Sequence, residues 1–217
     1  MSNDAVTHSE SSSPSPLERT VKLIAQTCVD NEQYFSDLDA VAGDGDFGYS
    51  LARGFEVVLT EWDALDRSDP GVFLQKVATT MSSRMGGTSG PIWGTAFLRA
   101  GAVVKGKQDV SPADAVHMLR AAIEGIKKRG GADLGDKTLL DALIPVADAL
   151  EGDLQDGVNP AGMTRHAASV ARAAAEATST LQARRGRASY TGERSIGSVD
   201  PGAIAMAVIA ERLADNT

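Results

Sequence analysis

Prolines that directly follow helix-capping residues constrain the fold of this sequence more than any other feature. Five of the eight prolines stand in such pairs: Ser15-Pro16, Asp69-Pro70, Ser111-Pro112, Asn159-Pro160 and Asp200-Pro201. A side-chain oxygen at the N-cap accepts a hydrogen bond from a free backbone N–H, and proline at the first helical position has no N–H to lose. Glu18 and Asp114 stand where the acid of a capping box would be. The five pairs therefore predict five helix starts.

Apolar periodicity and glycine-rich boundaries extend this prediction to the whole chain. Leu17, Val21, Ile24 and Cys28 recur at the spacing of one helical face. Three further helical segments, at about residues 50–65, 92–107 and 138–150, each follow a glycine-rich loop. No hairpin signal flanks the short apolar runs. The sequence thus predicts an all-α fold, an antiparallel bundle or barrel of eight helices.

Glycine is concentrated in four of the predicted connections: "AGDGDFG", "RMGGTSGPIWG", "KKRGGADLGDKT" and "GRASYTGERSIGSVDPG". These loops follow the first, third, fifth and seventh predicted helices, whereas the other connections read as plain turns. Alternate connections of an up-and-down bundle lie at the same end. We therefore expect one end of the bundle to carry a functional site and the other end only to close the fold.

The first of these loops is rich in aspartate. Asp39, Asp44 and Asp46 offer only hard oxygen ligands, which suit Mg²⁺ or Ca²⁺ rather than zinc. An EF-hand counted from Asp44 requires glutamate at its twelfth position, where this chain has Phe55, so that motif is excluded. The alternative is a solvated acidic loop whose aspartates cap the following helix.

The second and third loops suit phosphate. Glycines in "MGGTSGP" allow close backbone approach, Thr88 and Ser89 offer hydroxyls, and a helix N-terminus follows. The stretch "GGADLGDKT" is not a Walker motif, because Asp136 separates Gly135 from Lys137 and a helix precedes it where a strand is required. Lys137 either contacts an anion or is a surface charge.

The fourth loop carries positive charge. Arg184, Arg185, Arg187 and Arg194 fall within eleven residues of an otherwise acidic chain. Arginine binds phosphate oxygens in a bidentate manner, and the same side chains could instead neutralise the aspartates of the first loop. No serine–histidine or cysteine–histidine pair suggests a nucleophile. An acidic metal centre, a glycine cradle and arginines together indicate phosphoryl transfer.

Composition bounds the class of protein. The net charge of −8 excludes a general nucleic-acid-binding protein, which needs a basic face. Residues 1–16 are polar, without the features of a signal peptide, and are expected to form a disordered tail before one domain at 17–217. No apolar run has the length of a membrane span. The single cysteine, Cys28, fits a reducing compartment, so a cytoplasmic location is expected.

Four stretches, in order along the chain, carry a resemblance to a known family: "LDAVAGDGDFGYSLARGF", "GGTSGPIWG", "GDKTLLDALIPV" and "GRASYTGERSIGSVDPGA". The sequence resembles the nucleotide-binding L subunit of dihydroxyacetone kinases, which also occurs as the C-terminal domain of single-chain enzymes. The resemblance covers about residues 17–212. It implies an eight-helix barrel with ADP or ATP at its loop end, bridged by two Mg²⁺ ions.

The resemblance also implies site residues and partners. It assigns metal ligation to Asp39, Asp44 and Asp46. It assigns nucleotide contacts to Phe47, Gly48, Tyr49, Ser50, Gly87, Thr88, Ser89, Gly130, Leu139, Arg187, Asp200, Pro201 and Gly202. In the family a separate K subunit or domain holds the small ketose covalently through a histidine. The phosphoryl donor is either ATP or a phosphotransferase-system protein that recharges bound ADP.

Three positions depart from the family pattern. Phe47 and Ser198 stand where histidines are common, and Ser50 stands where asparagine is usual. The three carboxylates remain, so metal and nucleotide binding are expected to survive. The sugar, dihydroxyacetone or a four-carbon ketose, stays open. The alternative function is a nucleotide-loaded regulatory module that binds a partner without catalysis.

Overall fold

The computed structural model describes residues 13–217, and within that range the secondary structure is helical. The described residues form nine α-helices, in chain order: α1 Pro16–Asp30, α2 Glu32–Asp39, α3 Phe47–Thr60, α4 Pro70–Ser82, α5 Ser89–Val104, α6 Pro112–Gly130, α7 Leu140–Gln155, α8 Pro160–Ala177 and α9 Pro201–Ala214. Short 3₁₀ segments occupy Trp62–Ala64, Thr178–Thr180 and Arg187–Ser195. The predicted all-α class is confirmed.

All five predicted N-caps begin a helix. The side chains of Ser15, Asp69, Ser111, Asn159 and Asp200 each accept a hydrogen bond from a backbone N–H in the following first turn. Both predicted capping boxes are present. Each such cap stabilises the fold by about 1 kcal/mol, so these residues fix where the helices begin.

The helix count differs from the predicted eight because the first segment is divided at Asn31. The Asn31 amide donates to the carbonyl oxygen of Thr27 at 2.8 Å, and its backbone leaves the helical region at φ −108° and ψ 17°. A side chain that bonds to the backbone in this way competes with the regular helical ladder. The helices predicted to start near residues 50, 92 and 138 start instead at Phe47, Ser89 and Leu140.

The helices form a closed ring. From α3 onward each α-helix packs against the next one along the chain, α1 packs against α3, and α9 returns to pack against α1. Glycines allow α4 and α5 to approach closely and antiparallel. A Cβ on Gly71, early in α4, would lie 2.6 Å from the carbonyl oxygen of Gly101, late in α5. One on Gly94, early in α5, would lie 2.1 Å from Oγ of Ser82, at the end of α4.

The ring encloses an apolar core that holds the loops in fixed positions. Phe55 meets Trp93 edge to face at 5.5 Å between ring centroids, and Trp62 meets Phe73 in the same way at 5.7 Å. Buried aromatic pairs of this geometry each contribute about 0.5–1.5 kcal/mol beyond their area. Loops anchored on such a frame can position side chains for binding.

Two further expectations concern the chain as a whole. No helix within residues 13–217 combines the length and apolar character needed to cross a membrane. A disordered tail is predicted for residues 1–16, of which residues 1–12 lie outside the described part of the chain. The helix α1 begins at Pro16.

Candidate functional site

The four glycine-rich connections meet at one end of the ring, here called the loop end. Arg187 of the last connection contacts Asp44 of the first. The amide N–H of Arg184 donates to the carbonyl oxygen of Asp136 in the third connection, at 3.1 Å. Ser50, at the start of α3, lies close to Gly86 of the second. The predicted convergence of these loops is therefore confirmed.

The aspartate cluster, defined as Asp39, Asp44 and Asp46, lies at the centre of these contacts. One carboxylate oxygen from each residue lies within 4.8 Å of those of the other two. Asp39 is half-buried at the end of α2, and its Oδ2 accepts a hydrogen bond from the N–H of Phe47 at 3.3 Å. A Cβ on Gly43 would lie 2.2 Å from Oδ1 of Asp39, so only glycine fits beside this carboxylate.

Negative charge in the aspartate cluster exceeds the positive charge that faces it. Nη1 of Arg187 lies 2.5 Å from Oδ2 of Asp44, and Nη2 lies 3.7 Å from Oδ2 of Asp46. Burial raises the pKa of Asp46, the charges of Asp44 and Asp39 raise it further, and Arg187 opposes the rise. Three carboxylates against one guanidinium leave two formal negative charges, which suits a divalent cation with oxygen ligands.

Helix N-termini differ between the two ends of the ring. The helices that begin at the far end, α1, α4, α6 and α8, are all capped by a side chain of the N-cap residue. Of those that begin at the loop end, α9 is capped by Asp200, whereas α3, α5 and α7 have no hydrogen bond to the side chain of their N-cap residue. Other side chains nevertheless accept from the N–H groups of Phe47 and Tyr49 in α3, and Thr138 accepts from that of Leu140 in α7. The first turn of α5 has no such hydrogen bond among the described residues, and an N-terminus of this kind favours a bound anion. The loop end is therefore suited to phosphate.

The start of α3 holds four of the residues predicted to contact nucleotide. The Phe47 ring packs against Phe35, with ring centroids 6.2 Å apart. Gly48 is buried against α2, where a Cβ would lie 2.0 Å from the carbonyl oxygen of Glu32. Tyr49 is 56% exposed, and Ser50 is buried with its hydroxyl toward the second loop.

The second loop leads directly into α5. Gly87 has a φ of 58°, and a Cβ there would meet no atom within 4 Å, so the backbone is accessible from the loop end. Thr88 is the N-cap of α5 and is exposed, and Ser89 is half-buried in the first turn. This open loop before an N-terminus without a side-chain cap is the part of the site best suited to cradle phosphate.

The remaining predicted contacts lie at the junctions of the third and fourth loops with their helices. Gly130, the last residue of α6, lies beside Ile92 of α5. Leu139 precedes α7 and packs close to Gly202 in the first turn of α9, where Pro201 is the first residue. These residues therefore lie at the same end of the ring as the aspartate cluster, but on different loops. Within the described residues, Gly130 does not contact the cluster.

Asp200 serves as a cap and is a perturbed carboxyl. Its Oδ1 accepts from the N–H of Ala203 at 2.7 Å, as its sequence position predicts. Burial raises the pKa of Asp200 to about 7, and the charges of Asp141 and Asp39 act in the same direction, while the Ala203 hydrogen bond and Lys137 oppose it. Asp200 is thus, after Asp46, a second carboxyl at the loop end whose ionised form is disfavoured by its surroundings.

Neither interpretation of Lys137 from sequence is correct. Its side chain is buried, at 3% exposure, and its Nζ donates to three main-chain carbonyls rather than to an anion or to solvent. Sequence analysis also missed the pair between Asp136 and Arg185, whose Nε lies 3.2 Å from Oδ2 of Asp136. Both contacts fasten the fourth loop to the third, a role that no local sequence pattern indicates.

Comparison with known proteins places this arrangement in a family. Residues 41–215 match the DAK2 domain family. The chain belongs to that family. A relative of this DAK2 domain chain, 38% identical over 182 residues, is the PEP-dependent dihydroxyacetone kinase, ADP-binding subunit DhaL of Escherichia coli strain K12. That alignment covers 84% of this chain and 87% of the relative.

Two further proteins similar to this DAK2 domain chain are longer. The L-erythrulose 1-kinase of Mycolicibacterium smegmatis is 39% identical over 198 residues, which are 90% of this chain and 34% of that protein. The crystal structure of the dihydroxyacetone kinase of C. freundii in its native form superposes with a TM-score of 0.75 at 25% identity, over all of this chain and 38% of that one. The helical fold described above is therefore that of the DAK2 domain.

Proposed function

We propose that this chain is the ADP- or ATP-binding subunit of a small-ketose kinase, which transfers phosphate to a sugar held by a separate K-type subunit. The observation that carries the proposal is the aspartate cluster, with its three carboxylates within 4.8 Å, at the same end of the ring as the N-terminus of α5, which has no side-chain cap. The name of the 38% identical relative, an ADP-binding subunit, supports the same assignment.

The nucleotide phosphates would lie at the N-terminus of α5. The free N–H groups of Ser89 and Gly90 and the hydroxyl of exposed Thr88 supply donors there, and Gly87 leaves the approach open. Arg187, 62% exposed at its side chain, can turn from the aspartates toward a phosphate without losing a buried contact. The other residues assigned by resemblance would line the rest of the nucleotide.

The aspartate cluster would hold Mg²⁺, two ions by the family resemblance. Its donor set consists only of carboxylate oxygens, and its two formal charges in excess of Arg187 fit a hard divalent cation. When bound, Mg²⁺ supplies neutralisation of the charge on the phosphate oxygens. Asp39, held by the N–H of Phe47, fixes one side of this donor set, while the exposed Asp44 and Asp46 can adjust to the ligand.

The sugar and the phosphoryl donor would come from other proteins. His166 pairs with Asp153 in the α7–α8 region at 2.9 Å, and the described residues place no histidine at the aspartate cluster, so the ketose-binding histidine is assigned to a K subunit. The donor is ATP, or a phosphotransferase-system protein as the relative's "PEP-dependent" name suggests. The ketose is dihydroxyacetone or a four-carbon ketose such as the one named in the L-erythrulose kinase. A buried free thiol at Cys28 supports a reducing, cytoplasmic compartment.

The experiment is a reconstituted transfer assay. Formation of ketose phosphate is measured from ATP, and from a phosphotransferase-system donor with bound ADP, using dihydroxyacetone and L-erythrulose in parallel. The proposal expects product only when this chain, a K-type subunit and Mg²⁺ are all present. Full activity of the isolated chain contradicts the need for a partner. Tight MgADP binding without transfer to any ketose, in the presence of the K subunit, indicates a regulatory binding module instead.

A further inference from the structure

Lys137 occupies a conformation that costs energy and must therefore be held by its contacts. Within residues 13–217 it is the one non-glycine residue with positive φ, at 61°. A residue with a Cβ in this region costs roughly 1 kcal/mol or more, and persists only where its surroundings impose it. The side chain is 3% exposed, so the strain and the burial of a charge occur at the same residue.

The contacts of the Lys137 ammonium use all of its donors. Nζ lies between 2.5 and 3.0 Å from the carbonyl oxygens of Leu181, Ser195 and Ser198. An ammonium group has three N–H bonds, so none remains to bind a phosphate. Burial lowers the pKa of Lys137, and the nearby charge of Asp200 opposes this. The charge is therefore satisfied by backbone dipoles of a single segment.

Those three carbonyls stand at the two ends of one segment, residues 181–198, which we call the arginine loop. Asp136, next to Lys137 in sequence, adds two contacts from the same side. Its carbonyl oxygen accepts from the N–H of Arg184 at 3.1 Å, and its Oδ2 accepts from Nε of Arg185 at 3.2 Å. Arg187 follows within two residues and reaches Asp44.

We propose that Lys137 is a positioning residue that ties both ends of the arginine loop to the start of α7 and thereby holds Arg187 over the aspartate cluster. The inference rests on the proposed function, since it concerns how the nucleotide site is assembled. Lys137 itself touches neither the aspartates nor the place where phosphate would bind. Its effect on nucleotide binding is exerted through Arg187.

A double-mutant cycle tests this coupling. MgADP affinity is measured by calorimetry for wild type, Lys137→Met, Arg187→Ala and the double variant. We expect Lys137→Met to weaken binding about tenfold in the wild-type background and less than about twofold when Arg187 is already alanine, because residues that act through one another are not additive. Lys76→Met, which removes an exposed lysine on α4, is the matched control and leaves affinity unchanged.

Limited trypsin digestion gives a second readout that does not need nucleotide. The arginine loop carries Arg184, Arg185, Arg187 and Arg194 as cleavage sites. Lys137→Met should speed cleavage within this loop at least about fivefold while the rest of the ring stays resistant, since only the loop is loosened. Equal loop cleavage rates in the two proteins overturn the inference.

The outcomes separate the inference from the proposed function. A wild-type chain that does not bind MgADP overturns both. If the wild-type chain binds MgADP and Lys137→Met lowers the affinity equally in both Arg187 backgrounds, the inference is overturned and the proposed function is not. If Lys137→Met does not fold, Asp136→Asn takes its place in the cycle, because it weakens the neighbouring contact with Arg185. A loss of MgADP affinity that disappears when Arg187 is alanine supports the inference. A loss of the same size in both Arg187 backgrounds, or no loss of affinity, overturns it.

Discussion

Arg187 reaches across the loop end to Asp44, with Nη1 of the guanidinium 2.5 Å from Oδ2 of the carboxylate. The two residues lie 143 positions apart in the sequence, in the first and last of the four glycine-rich connections. Their contact joins the segment that would hold metal to the segment that supplies positive charge. Because the arginine side chain is 62% exposed, the pair contributes little to stability and is available for exchange with a ligand.

Replacing Arg187 with alanine should lower nucleotide affinity while leaving the stability of the fold almost unchanged. An exposed pair of this kind contributes less than about 1 kcal/mol, so we expect the melting temperature of the ligand-free chain to change by less than about 4 °C. MgADP affinity, measured by calorimetry, should fall at least about tenfold, since a charge-assisted contact to phosphate is lost. Arg165→Ala, at an exposed position on α8, is the control. A large loss of stability with unchanged affinity would contradict the assignment.

Asp200→Asn should change how stability depends on pH. The carboxyl has a pKa of about 7 in the fold against an ordinary value of 3.8, so the folded state binds this proton more tightly than the unfolded state. Stability therefore falls as pH rises from about 4 to about 7. Asparagine keeps the cap on Ala203 and removes the titration. Between pH 5 and pH 8 the melting temperature of the variant should rise by at least about 3 °C relative to wild type.

Asp69→Asn is the control for that measurement. Hydrogen bonds from Val72 and Gly106 lower the pKa of Asp69, so its carboxylate is ionised at both pH values. Its substitution should shift the melting temperature by the same amount at pH 5 and at pH 8. Should Asp200→Asn behave in the same pH-independent way, Asp200 is not a carboxyl of raised pKa.

Asp69→Ala should weaken the fold without affecting the site. Oδ1 of Asp69 accepts from the N–H groups of Gly71 and Val72, and Oδ2 accepts from Gly106 at 2.5 Å, which ties α4 to the connection after α5. Loss of an N-cap costs about 0.5–2 kcal/mol, or roughly 1–8 °C in a domain of this size. MgADP affinity should remain within about twofold, because these contacts lie at the far end of the ring. Asp109→Ala, exposed in the same region, should change neither quantity.

Two glycine substitutions should act in opposite directions. A Cβ at Gly48 would lie 2.0 Å from the carbonyl oxygen of Glu32, so Gly48→Ala forces α3 away from α2 and should lower stability by more than about 2 kcal/mol. A Cβ at Gly152, inside α7, would meet nothing within 4 Å. Gly152→Ala should therefore raise stability by about 0.4–1 kcal/mol. Urea denaturation of both variants measures the difference, and destabilisation by both would show that the space at Gly152 is not free.

The sequence predicted the features that local chemistry controls. N-caps such as Asp69 and Asn159 can be recognised in the sequence as a short polar residue followed by proline, because the cap and the proline both act within the first helical turn. The convergence of four loops followed from helix order alone, since alternate connections of an antiparallel ring share an end. The division of the first helix at Asn31 could not be predicted, because it depends on whether the side-chain amide of Asn31 bonds to a carbonyl of the preceding helix.

Features set by tertiary contacts were beyond the sequence. Lysine in a glycine-rich loop is ordinarily exposed, and nothing next to Lys137 indicates three carbonyls brought from residues 44 to 61 positions away. The partners of Arg187 could not be chosen among the aspartates without the fold. Phe47 likewise lies in a stretch assigned to nucleotide contact, while its ring packs on Phe35 and its backbone N–H donates to Asp39.

The measurement that tests the central claim most directly is thermal unfolding with ADP, with and without Mg²⁺, for wild type and Asp44→Ala. Ligand at a hundred times its dissociation constant adds about 2.7 kcal/mol, which corresponds to roughly 5–10 °C in a domain of this size. The account predicts this shift for wild type only when Mg²⁺ is present, no shift for Asp44→Ala, and a retained shift for Asp37→Ala, an exposed aspartate on α2. An equal shift in Asp44→Ala, or no shift in a wild-type chain that carries no nucleotide from purification, would contradict it.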